Sequence, residues 1–324
     1  MLDVYFYEAF EEEEQALKNY LPPRISAGFT WKTIQEQNDM IAPAKIISIR
    51  TQCHLPVEWA GQVDAILSRS TGFDHLQRFR SNVNEPIALG YIPLYCSRAV
   101  AEQAMLLWMS LLRKLPRQIQ QFRTFERDGV TGWECQNKKL LVVGVGNIGS
   151  EIVKIGQGLG MQVMGVDLIQ KYSFVDYYSI PQARTEADII VCAMNLTAQN
   201  RNYFNYDFFK SCKFGIIFVN IARGEMSPSV DLLKLINEGY ISGLGMDVYN
   251  KESELAVALR SGKEIDDPEI QSTLELASKE NVIFTPHNAF NSAEAVVRKA
   301  EQSIKQIQSF LESGQFLWSV PLEK

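Results

Sequence analysis

The stretch LLVVGVGNIGSEIV, residues 140–153, decides the fold of this chain. An apolar run leads directly into Gly144, and Gly144, Gly146 and Gly149 follow the G-x-G-x-x-G spacing. Glycines in this pattern permit a tight turn and a close approach to a pyrophosphate, and the helix that follows offers free N–H groups to phosphate oxygens. Three glycines can also mark an ordinary turn, but the strand before them and the helical pattern after them favour a dinucleotide site.

An acidic residue follows at the distance that such a site requires. The next apolar run, MQVMGVD, ends in Asp167, eighteen residues after Gly149. A carboxylate at this position accepts hydrogen bonds from the hydroxyls of the adenosine ribose and repels a 2′-phosphate. The nearest downstream arginine, Arg184, is seventeen residues away, so no arginine next to Asp167 invites that phosphate. The predicted cofactor is therefore NAD rather than NADP.

Short apolar runs alternate with helical patterns along most of the chain. Before residue 100, four strands are predicted at VYFY, KIISIR, AILSRS and PIALGYI. From about Lys138 the alternation restarts, and six strands are predicted at KKLLVVGVG, MQVMGVD, ADIIVCAM, FGIIFVN, ISGLGMDVY and NVIFTPH. Alternation of this kind indicates parallel sheets with helices on both faces. A long apolar helix is predicted between the two series, from near Ser97 to Pro116.

Composition and charge exclude several classes of protein. The 324 residues are too many for one ordinary core, and the net charge of −6 comes with no basic stripe that would bind nucleic acid. The five cysteines are scattered without a C-x-x-C pair, which indicates free thiols rather than disulfides or a metal site. The N-terminus is acidic where a signal peptide is basic, and the most apolar helical stretch, AMLLWMSLL, is too short to span a bilayer. We expect a cytoplasmic protein that binds no metal, nucleic acid or membrane.

Charged side chains follow three of the predicted strands. Arg223 comes shortly after FGIIFVN, and His287 comes shortly after NVIFT. Asp247 directly follows ISGLGM, and Glu252 lies five residues further along the chain. A single loop arginine or histidine is more often incidental than functional. The carboxyl ends of parallel strands meet at one edge of a sheet, however, so these residues are expected together beside the nicotinamide. In contrast, the acidic run Glu11–Glu14 is expected to be a solvated helix start.

Arginine, glutamate and histidine together suit redox chemistry on a 2-keto or 2-hydroxy acid. The planar guanidinium of Arg223 matches a carboxylate in a bidentate arrangement. The imidazole of His287 can take the hydroxyl proton during oxidation and return it during reduction, and Glu252 beside it would favour the imidazolium form. The nicotinamide would supply the hydride chemistry, while the protein supplies position and a proton.

These motifs together resemble the D-isomer-specific 2-hydroxyacid dehydrogenases. The resemblance is carried by GVGNIGSEI with Asp167, by NIARGE, by GMDVYNKE and by TPHNAF. Arg223 and Glu252 are 29 residues apart, a spacing that resembles the D-lactate dehydrogenase branch of the family. Upstream, RSTGFDH resembles the family loop whose backbone amides bind the substrate carboxylate. The resemblance covers the chain from about residue 65 to the C-terminus.

The resemblance implies a role for each matching residue. Arg223 would bind the substrate carboxylate and carbonyl, His287 would be the general acid/base, and Glu252 would be its partner. For substrate binding the resemblance implies Ser70, Thr71, Gly72, Tyr95 and Phe290, the last as a wall of the side-chain pocket. For NAD binding it implies Gly144, Gly146, Asn147, Ile148, Gly149, Asp167, Met194, Asn195, Asn200, Ile221, Ala222 and Asp247. Gln103 departs from the family, which often has histidine there.

The predicted fold class is α/β, with two doubly wound parallel-sheet domains and the active site in the cleft between them. A flavodoxin-like substrate domain is expected over residues 1–100 and a Rossmann NAD-binding domain over residues 101–290. Residues 291–324 are expected to form a helix that returns to the substrate domain. The apolar helix after Ser97 predicts a homodimer. Residues 253–280 are expected to form a loop-helix flap, and the stretch between Asp167 and Ala187 is shorter than is usual in the family.

The predicted function is that of an NAD-dependent D-2-hydroxyacid dehydrogenase acting on pyruvate or a larger 2-keto acid. Two alternatives remain open. One is a sibling dehydrogenase on the same scaffold, acting on glyoxylate or hydroxypyruvate, phosphoglycerate, formate or phosphite. The other is an NAD-sensing, corepressor-like binding protein without enzymatic activity, which would gain little from keeping Arg223, Glu252 and His287 together.

Overall fold

The computed structural model describes residues 2–262 and 265–322. The chain divides into two compact units. The first unit joins Met1–Cys96 with Asn291–Lys324, and the second is Ser97–Phe290. The predicted fold class of two parallel-sheet domains is confirmed, whereas the predicted cleft between the domains stays a prediction.

The first unit contains a five-stranded parallel sheet in the order β2-β1-β3-β4-β5, which is the flavodoxin-like order. Its strands are β1 (Leu2–Phe6), β2 (Ala27–Phe29), β3 (Ala44–Ile49), β4 (Ala65–Ser68) and β5 (Ala88–Gly90). Four of them were predicted. The edge strand β2 was missed because its three residues, AGF, are only partly buried and form no apolar run.

Four α-helices belong to this unit in the described part of the chain. They are α1 (Glu11–Tyr20), α2 (Ile34–Gln37), α3 (Asp74–Ser81) and α12 (Ala293–Ser313). Helix α12 packs against α1, so a segment from the far end of the chain completes this unit. The buried face of α1 includes Glu13 together with Ala16 and Leu17. The expectation that the whole acidic run is solvated is therefore wrong at Glu13.

The second unit contains a six-stranded parallel sheet in the order β11-β10-β9-β8-β6-β7. Its strands are β6 (Lys139–Val143), β7 (Gln162–Val166), β8 (Ile189–Cys192), β9 (Ile216–Asn220), β10 (Ile241–Met246) and β11 (Val282–Phe284). All six were predicted, because each is a short run made mostly of apolar residues. The strand order reverses at β6, and in open α/β sheets ligands bind at such a reversal, beyond the carboxyl ends of the strands.

The α-helices described for this unit are α4 (Ser97–Leu112), α5 (Leu115–Gln121), α6 (Asn147–Gly158), α7 (Ile180–Glu186), α8 (Tyr206–Lys210), α9 (Ser229–Asn237), α10 (Glu252–Ser261) and α11 (Pro268–Ala277). Helix α4 ends at Leu112 rather than at Pro116. Lys114 adopts a left-handed conformation with φ 51°, and Pro116 lies in the first turn of α5. Proline is tolerated there because the first turn needs no N–H donor.

Two segments of the second unit had been singled out in the sequence for their length, the stretch between Asp167 and Ala187 and the segment 253–280. After β7, the shortened stretch pairs with the sheet only through a bridge between Gly165 and Tyr177, and α7 has seven residues. The segment 253–280 contains most of α10 and all of α11, and Ile270 and Leu276 of α11 are buried in the core of the second unit. The expectation of a flap is therefore wrong for α11. Residues 263 and 264 lie outside the described residues.

The apolar helix α4 is buried within its own unit. It packs on α6 and on strands β9, β10 and β11, and Leu107 and Trp108 are fully buried there. Burial within the unit accounts for the apolar character that had suggested a dimer. The segment in and after α5 carries four exposed apolar side chains, those of Ile119, Phe122, Phe125 and Trp133.

Candidate functional site

The glycine loop joins β6 to α6 at the point where the strand order reverses. Gly144 has φ 94°, and a Cβ on Gly149 would lie 2.0 Å from the carbonyl oxygen of Gly144, so only glycine permits this close approach. Helix α6 begins at Asn147, directly after Gly146, and Ile148 lies in its first turn. The first turn of a helix leaves N–H groups without acceptors in the helix, which favours an anion such as a pyrophosphate.

Asp167 directly follows β7, beside the glycine loop. One carboxylate oxygen accepts the N–H of Val145 at 2.6 Å, and the other accepts the N–H of Ile169 at 3.0 Å. These two bonds hold the carboxylate at the sheet edge, where it can also accept hydroxyl hydrogens of a ribose. Loop, helix terminus and carboxylate therefore fit a dinucleotide.

The remaining residues implied in NAD binding follow the next strands of the same sheet. Met194 and Asn195 come after β8, and the side-chain amide of Asn200 is used within that loop. Its Nδ2 donates to the carbonyl of Asn195 at 2.7 Å, and its Oδ1 accepts the N–H of Thr197 at 2.8 Å. Ile221 and Ala222 come after β9 and are buried. All of these positions lie at the carboxyl edge of the six-stranded sheet, whereas their contacts with NAD stay predictions.

Arg223 is held by the turn that follows β9. The amide of the fully buried Asn220 donates to the carbonyl of Arg223 at 3.0 Å and accepts the N–H of Ala222 at 3.0 Å. One guanidinium nitrogen of Arg223 donates to the Ala222 carbonyl at 2.8 Å. A Cβ on Gly224 would lie 1.8 Å from the backbone of Tyr249, so glycine lets this turn approach the segment after β10.

His287 and Glu252 form a directly bonded pair. Glu252 is the first residue of α10, and His287 lies just beyond β11. Nδ1 of the imidazole is 2.7 Å from Oε1 of Glu252, and 23% of each side chain is exposed. His287 has φ 49°, a conformation that is uncommon for a residue with a Cβ and that often occurs at functional sites.

Asp247 fixes the turn that carries the histidine. Its fully buried carboxylate accepts the hydroxyl of Thr285 at 2.5 Å and the N–H groups of Asn288 and Ala289 at 2.9 and 2.8 Å. Burial raises the pKa of Asp247, although these three hydrogen bonds oppose the rise. The resemblance implied a contact with NAD for this residue. In the structure, both carboxylate oxygens of Asp247 already accept hydrogen bonds from residues before and after His287.

Sequence reasoning missed the polar residues that support this edge. Asn220 orients the Arg223 turn, and Gln103 of α4 donates to the hydroxyl of Thr285 at 3.4 Å, linking α4 to the Asp247 network. Of these residues, only Asn220 could have been found from the sequence, because it is a polar residue at the end of an otherwise apolar strand. Gln103 was noted only as a departure from the family, and Thr285 was not singled out, because the hydrogen bond between them joins residues that are distant along the chain.

Ser70, Thr71 and Gly72 form a loop after β4 in the first unit. The Ser70 hydroxyl donates to the carbonyl of Gly72 at 2.7 Å, and the Thr71 hydroxyl lies 3.3 Å from the carbonyl of Ile92. These bonds shape the loop from within its own unit. Its predicted role in binding the substrate carboxylate stays a prediction, as does the role of Phe290, which is partly buried at the end of the second unit.

Tyr95 lies against a buried ion cluster, which we define as Glu13, Arg69 and Lys299. Arg69 Nε and Lys299 Nζ each donate to a different oxygen of Glu13, both at 2.8 Å. Tyr95 is 4% exposed, and Lys299 Nζ is 5.8 Å from the centre of its ring. Burial raises the pKa of Tyr95 well above its usual range, so the phenol stays protonated.

The ion cluster shifts the proton affinities of its own members. Burial alone would raise the pKa of Glu13, but the positive charges of Arg69, Lys299 and Arg50 outweigh it and lower the pKa to about 2. Burial lowers the pKa of Lys299 to about 8, with Arg50 and Arg69 acting in the same direction and Glu13 opposing them. Glu13 is thus held firmly as a carboxylate.

The described part of the chain offers neither a metal-binding cluster nor a membrane-spanning helix. Within residues 2–262 and 265–322, no group of three or more histidine, cysteine, aspartate and glutamate side chains is arranged to hold a metal ion. In the same ranges, no helix combines the length and the apolar character needed to cross a membrane.

Comparison with known sequences identifies relatives of the chain. A family model described as the NAD-binding domain of the D-isomer specific 2-hydroxyacid dehydrogenases matches residues 105–289. A D-lactate dehydrogenase of Streptococcus agalactiae is 28% identical over 321 residues, which cover 95% of this chain and 94% of that protein. A D-lactate dehydrogenase of Staphylococcus epidermidis is 30% identical over 258 residues, 78% of this chain and 77% of that one.

Solved structures with the same architecture cover nearly the whole chain. The D-lactate dehydrogenase of Aquifex aeolicus, crystallised with NAD and lactic acid, superposes with a TM-score of 0.83 at 26% identity over 97% of this chain and 99% of that one. A D-2-hydroxyisocaproate dehydrogenase superposes with a TM-score of 0.84 at 22% identity, over 98% and 99% of the two chains. The second likeness concerns the fold alone.

Proposed function

Because the chain belongs to the D-isomer-specific 2-hydroxyacid dehydrogenases, NAD-dependent oxidoreductases, we propose that it reduces pyruvate or a larger 2-keto acid to the D-2-hydroxy acid. The single observation that carries this proposal is the His287–Glu252 pair, bonded at 2.7 Å. It lies at the carboxyl edge of the sheet that also carries Arg223 and the glycine loop. A non-catalytic NAD sensor has no need for such a pair.

His287 is the proposed general acid of the reduction. Its Nδ1 is engaged by Glu252, so the proton to be delivered is held at Nε2. The bond to the Glu252 carboxylate fixes the orientation of the ring. As the carbonyl carbon is reduced, Nε2 donates its proton to the carbonyl oxygen, and in the oxidation direction it takes the proton back.

Arg223 is the proposed anchor of the substrate. Its guanidinium binds the carboxylate and polarises the neighbouring carbonyl, since a planar cation with several donors matches both oxygen atoms. The backbone of residues 70–72 in the first unit is the proposed second contact to the carboxylate, with Tyr95 and Phe290 beside the substrate side chain. We assign NAD binding to the second unit, and substrate contacts to residues 70–72 and Tyr95 of the first unit and to Arg223 and Phe290 of the second.

NAD is the cofactor, and when bound it supplies or accepts the hydride. Residues 144–149 would hold its pyrophosphate, and Asp167 would bind the adenosine ribose.

The test is the consumption of NADH with a panel of 2-keto acids, followed by the reverse reaction with the two lactate enantiomers. We expect reduction of pyruvate or of a longer 2-keto acid, and oxidation of the D-enantiomer only. Glyoxylate and hydroxypyruvate belong in the panel because sibling enzymes use them. The proposal fails if none of these acids is reduced or if the L-enantiomer is preferred.

We also propose a homodimer in the cytoplasm. The dimer is supported by the exposed apolar side chains of residues 119–133, since large exposed apolar patches mark interaction sites. The location is supported by the five cysteines, all of which are free thiols. Sedimentation of the protein and of its Phe122→Asp variant tests the first proposal. A monomeric wild-type protein would overturn it.

A further inference from the structure

A continuous chain of hydrogen bonds links His75 to the loop that is proposed to bind the substrate carboxylate. Nε2 of His75 lies 2.9 Å from the hydroxyl of Ser68, which lies 2.6 Å from the hydroxyl of Ser70. Ser70 donates to the carbonyl of Gly72 at 2.7 Å. Ser68 ends β4 and His75 lies in the first turn of α3, so these bonds span the connection between the two elements. We call this chain of bonds the His75 relay.

The carbonyl at the end of the relay fixes the direction of every bond in it. A carbonyl oxygen can only accept, so the single hydroxyl hydrogen of Ser70 is used on Gly72. The hydrogen between the two serines must then come from Ser68, and the Ser68 oxygen is left to accept from the imidazole. Nε2 of His75 must therefore carry a hydrogen and donate it. The neutral Nε2–H form and the imidazolium both meet this requirement.

Solvent has little access to the two hydroxyls of the relay. Ser68 is 0% exposed and Ser70 is 8% exposed, while His75 is partly buried. A buried hydroxyl that loses its protein partner has little water to replace it, so the loss costs free energy. The relay is therefore expected to remain intact in the folded protein.

Gly72 is the position at which the loop gains most from such a bond. The carbonyl of Ser70 accepts the N–H of Ile92 at 3.1 Å, and the hydroxyl of Thr71 lies 3.3 Å from the carbonyl of Ile92. These contacts with the segment after β5 fix the start of the loop. Glycine has the widest choice of backbone dihedrals, so its conformation depends strongly on bonds made by its backbone. Because a peptide unit is planar, a bond to the Gly72 carbonyl orients the whole unit.

We propose that His75 is a positioning residue for substrate binding, which acts through Ser68 and Ser70 to hold the loop of residues 70–72 in the shape that binds a carboxylate. Donors that are held in place before binding lose less freedom when the ligand arrives, so a fixed loop binds more tightly than a mobile one. The imidazole serves here as a hydrogen-bond donor, whereas His287 is the proposed proton carrier. This inference rests on the proposed function and adds a residue to its substrate site.

The competing explanation is purely structural. Buried hydrogen bonds can fasten β4 to α3 without affecting a ligand, and His75 would then contribute to stability alone. A structural role predicts a lower melting temperature with no selective change in substrate binding. A positioning role predicts weaker binding of the carboxylate substrate, while kcat and the affinity for NADH change little.

The experiment compares two substitutions at His75 that differ in whether a donor is kept. In His75→Leu we expect KM for the best 2-keto acid of the panel to rise by about tenfold, the effect of one weakened hydrogen bond to a charged group. The inhibition constant of oxamate, in which an amino group replaces the methyl group of pyruvate, should rise by the same factor. In His75→Gln both constants should return most of the way to the wild-type values, because the side-chain amide offers an N–H to Ser68.

Two serine variants test the relay from its middle. Ser68→Ala removes the central hydroxyl, and we expect a rise in KM similar to that in His75→Leu. The double variant should be no worse than either single one, because both changes interrupt the same chain of bonds. Ser81→Ala is the matched control, since Ser81 ends α3 and its exposed hydroxyl donates only along that helix, to the carbonyl of Gln77 at 3.1 Å. It should leave both constants unchanged.

Unchanged constants in His75→Leu and Ser68→Ala would overturn the inference while leaving the proposed function intact. So would a loss in His75→Gln as large as that in His75→Leu, because the donor would then not be what matters, and so would fully additive losses in the double variant. If the wild-type protein reduces no 2-keto acid, the proposed function fails and the inference fails with it. Should His75→Leu not fold, Ser68→Ala decides alone, since it removes a single oxygen atom.

Discussion

The carboxyl edges of the two sheets carry similar charged groups in very different settings. In the second unit, Glu252 and His287 form one bonded pair with 23% of each side chain exposed. In the first unit, the side chains of Glu13, Arg69 and Lys299 are at most 4% exposed, and Glu13 has a cation on each of its oxygens. The open pair can exchange a proton with a ligand. The buried cluster would have to break its ion pairs to do so, which is costly inside a protein.

This difference teaches how to separate charges that act on a ligand from charges that maintain the fold. Both edges lie beyond the carboxyl ends of parallel strands, so position alone does not distinguish them. The two edges are distinguished by the exposed fraction of the charged side chains and by the number of partners that each side chain binds. We therefore expect changes in the open pair to affect rate and changes in the buried cluster to affect stability.

The largest expected effect is on rate, in His287→Gln. We expect kcat to fall by about 10²–10⁴-fold, the usual contribution of a general acid, because glutamine cannot deliver a proton. The melting temperature should change little, since the imidazole is partly exposed. Steady-state kinetics and thermal unfolding measure the two quantities. His54→Gln is the control, because His54 is exposed in the first unit and should retain full activity. Full activity in His287→Gln would refute its role.

The second effect is on stability, in Glu13→Gln. We expect the free energy of unfolding to fall by about 3–5 kcal/mol, because Arg69 and Lys299 lose the carboxylate that both of them bind. Urea denaturation measures the change. Glu14→Gln is the control at the neighbouring position. Glu14 pairs with Lys18 on the helix surface, and such pairs contribute only about 0.3–0.5 kcal/mol. Equal stability of the two variants would contradict the comparison.

The third effect is the pH dependence of the buried cluster. The pKa of Glu13 is lowered from 4.5 to about 2, so its stabilising contribution is fully present above pH 4.5 and is lost as the pH falls toward 2. The loss should reach ~3 kcal/mol, because the unfolded chain takes up the proton first. Urea denaturation at a series of acidic pH values measures it.

Glu13→Gln supplies the reference for that pH series. The stability difference between the wild-type protein and this variant should shrink steadily below pH 4.5. A difference that stays constant would show that Glu13 does not titrate in this way.

The smallest effect concerns the choice of cofactor at the open edge. In Asp167→Ser we expect the preference for NADH over NADPH to fall by about tenfold, equivalent to ~1.4 kcal/mol, because the carboxylate no longer repels the 2′-phosphate. The ratio of kcat/KM values for the two cofactors measures it. Asp176→Ser, an exposed position on the same stretch, should leave the ratio unchanged. An unchanged ratio in Asp167→Ser would exclude this role.

The sequence predicted the second unit better than the first, for physical reasons. The glycine loop, Asp167, Arg223 and His287 all adjoin buried apolar strands, so local patterns were enough to find them. The ion cluster is different, because Glu13 and Lys299 are 286 residues apart and nothing local connects them. Glu13 also sits in an acidic run that is typical of a solvated helix start.

Other parts of the site could not be predicted because they depend on three-dimensional neighbours. Asp247 is recognisable after its strand, but its three bonds to the His287 turn are visible only in the folded chain. The helix break at Lys114 has a comparable origin. Apolar periodicity continued as far as Leu115, and only the left-handed residue shows where α4 ends.

The first unit is built from two segments that flank the second unit in the sequence, and this governs the order in which the two units can fold during synthesis. Residues 97–290 are continuous and can fold as soon as they leave the ribosome. The first unit must wait for α12, which follows the whole of the second unit along the chain. Until then Glu13 lacks Lys299, and the face of α1 that packs on α12 is uncovered. The early-made segment therefore depends on residues that are synthesised after the second unit, and a chain that stops before residue 291 would leave it unfinished.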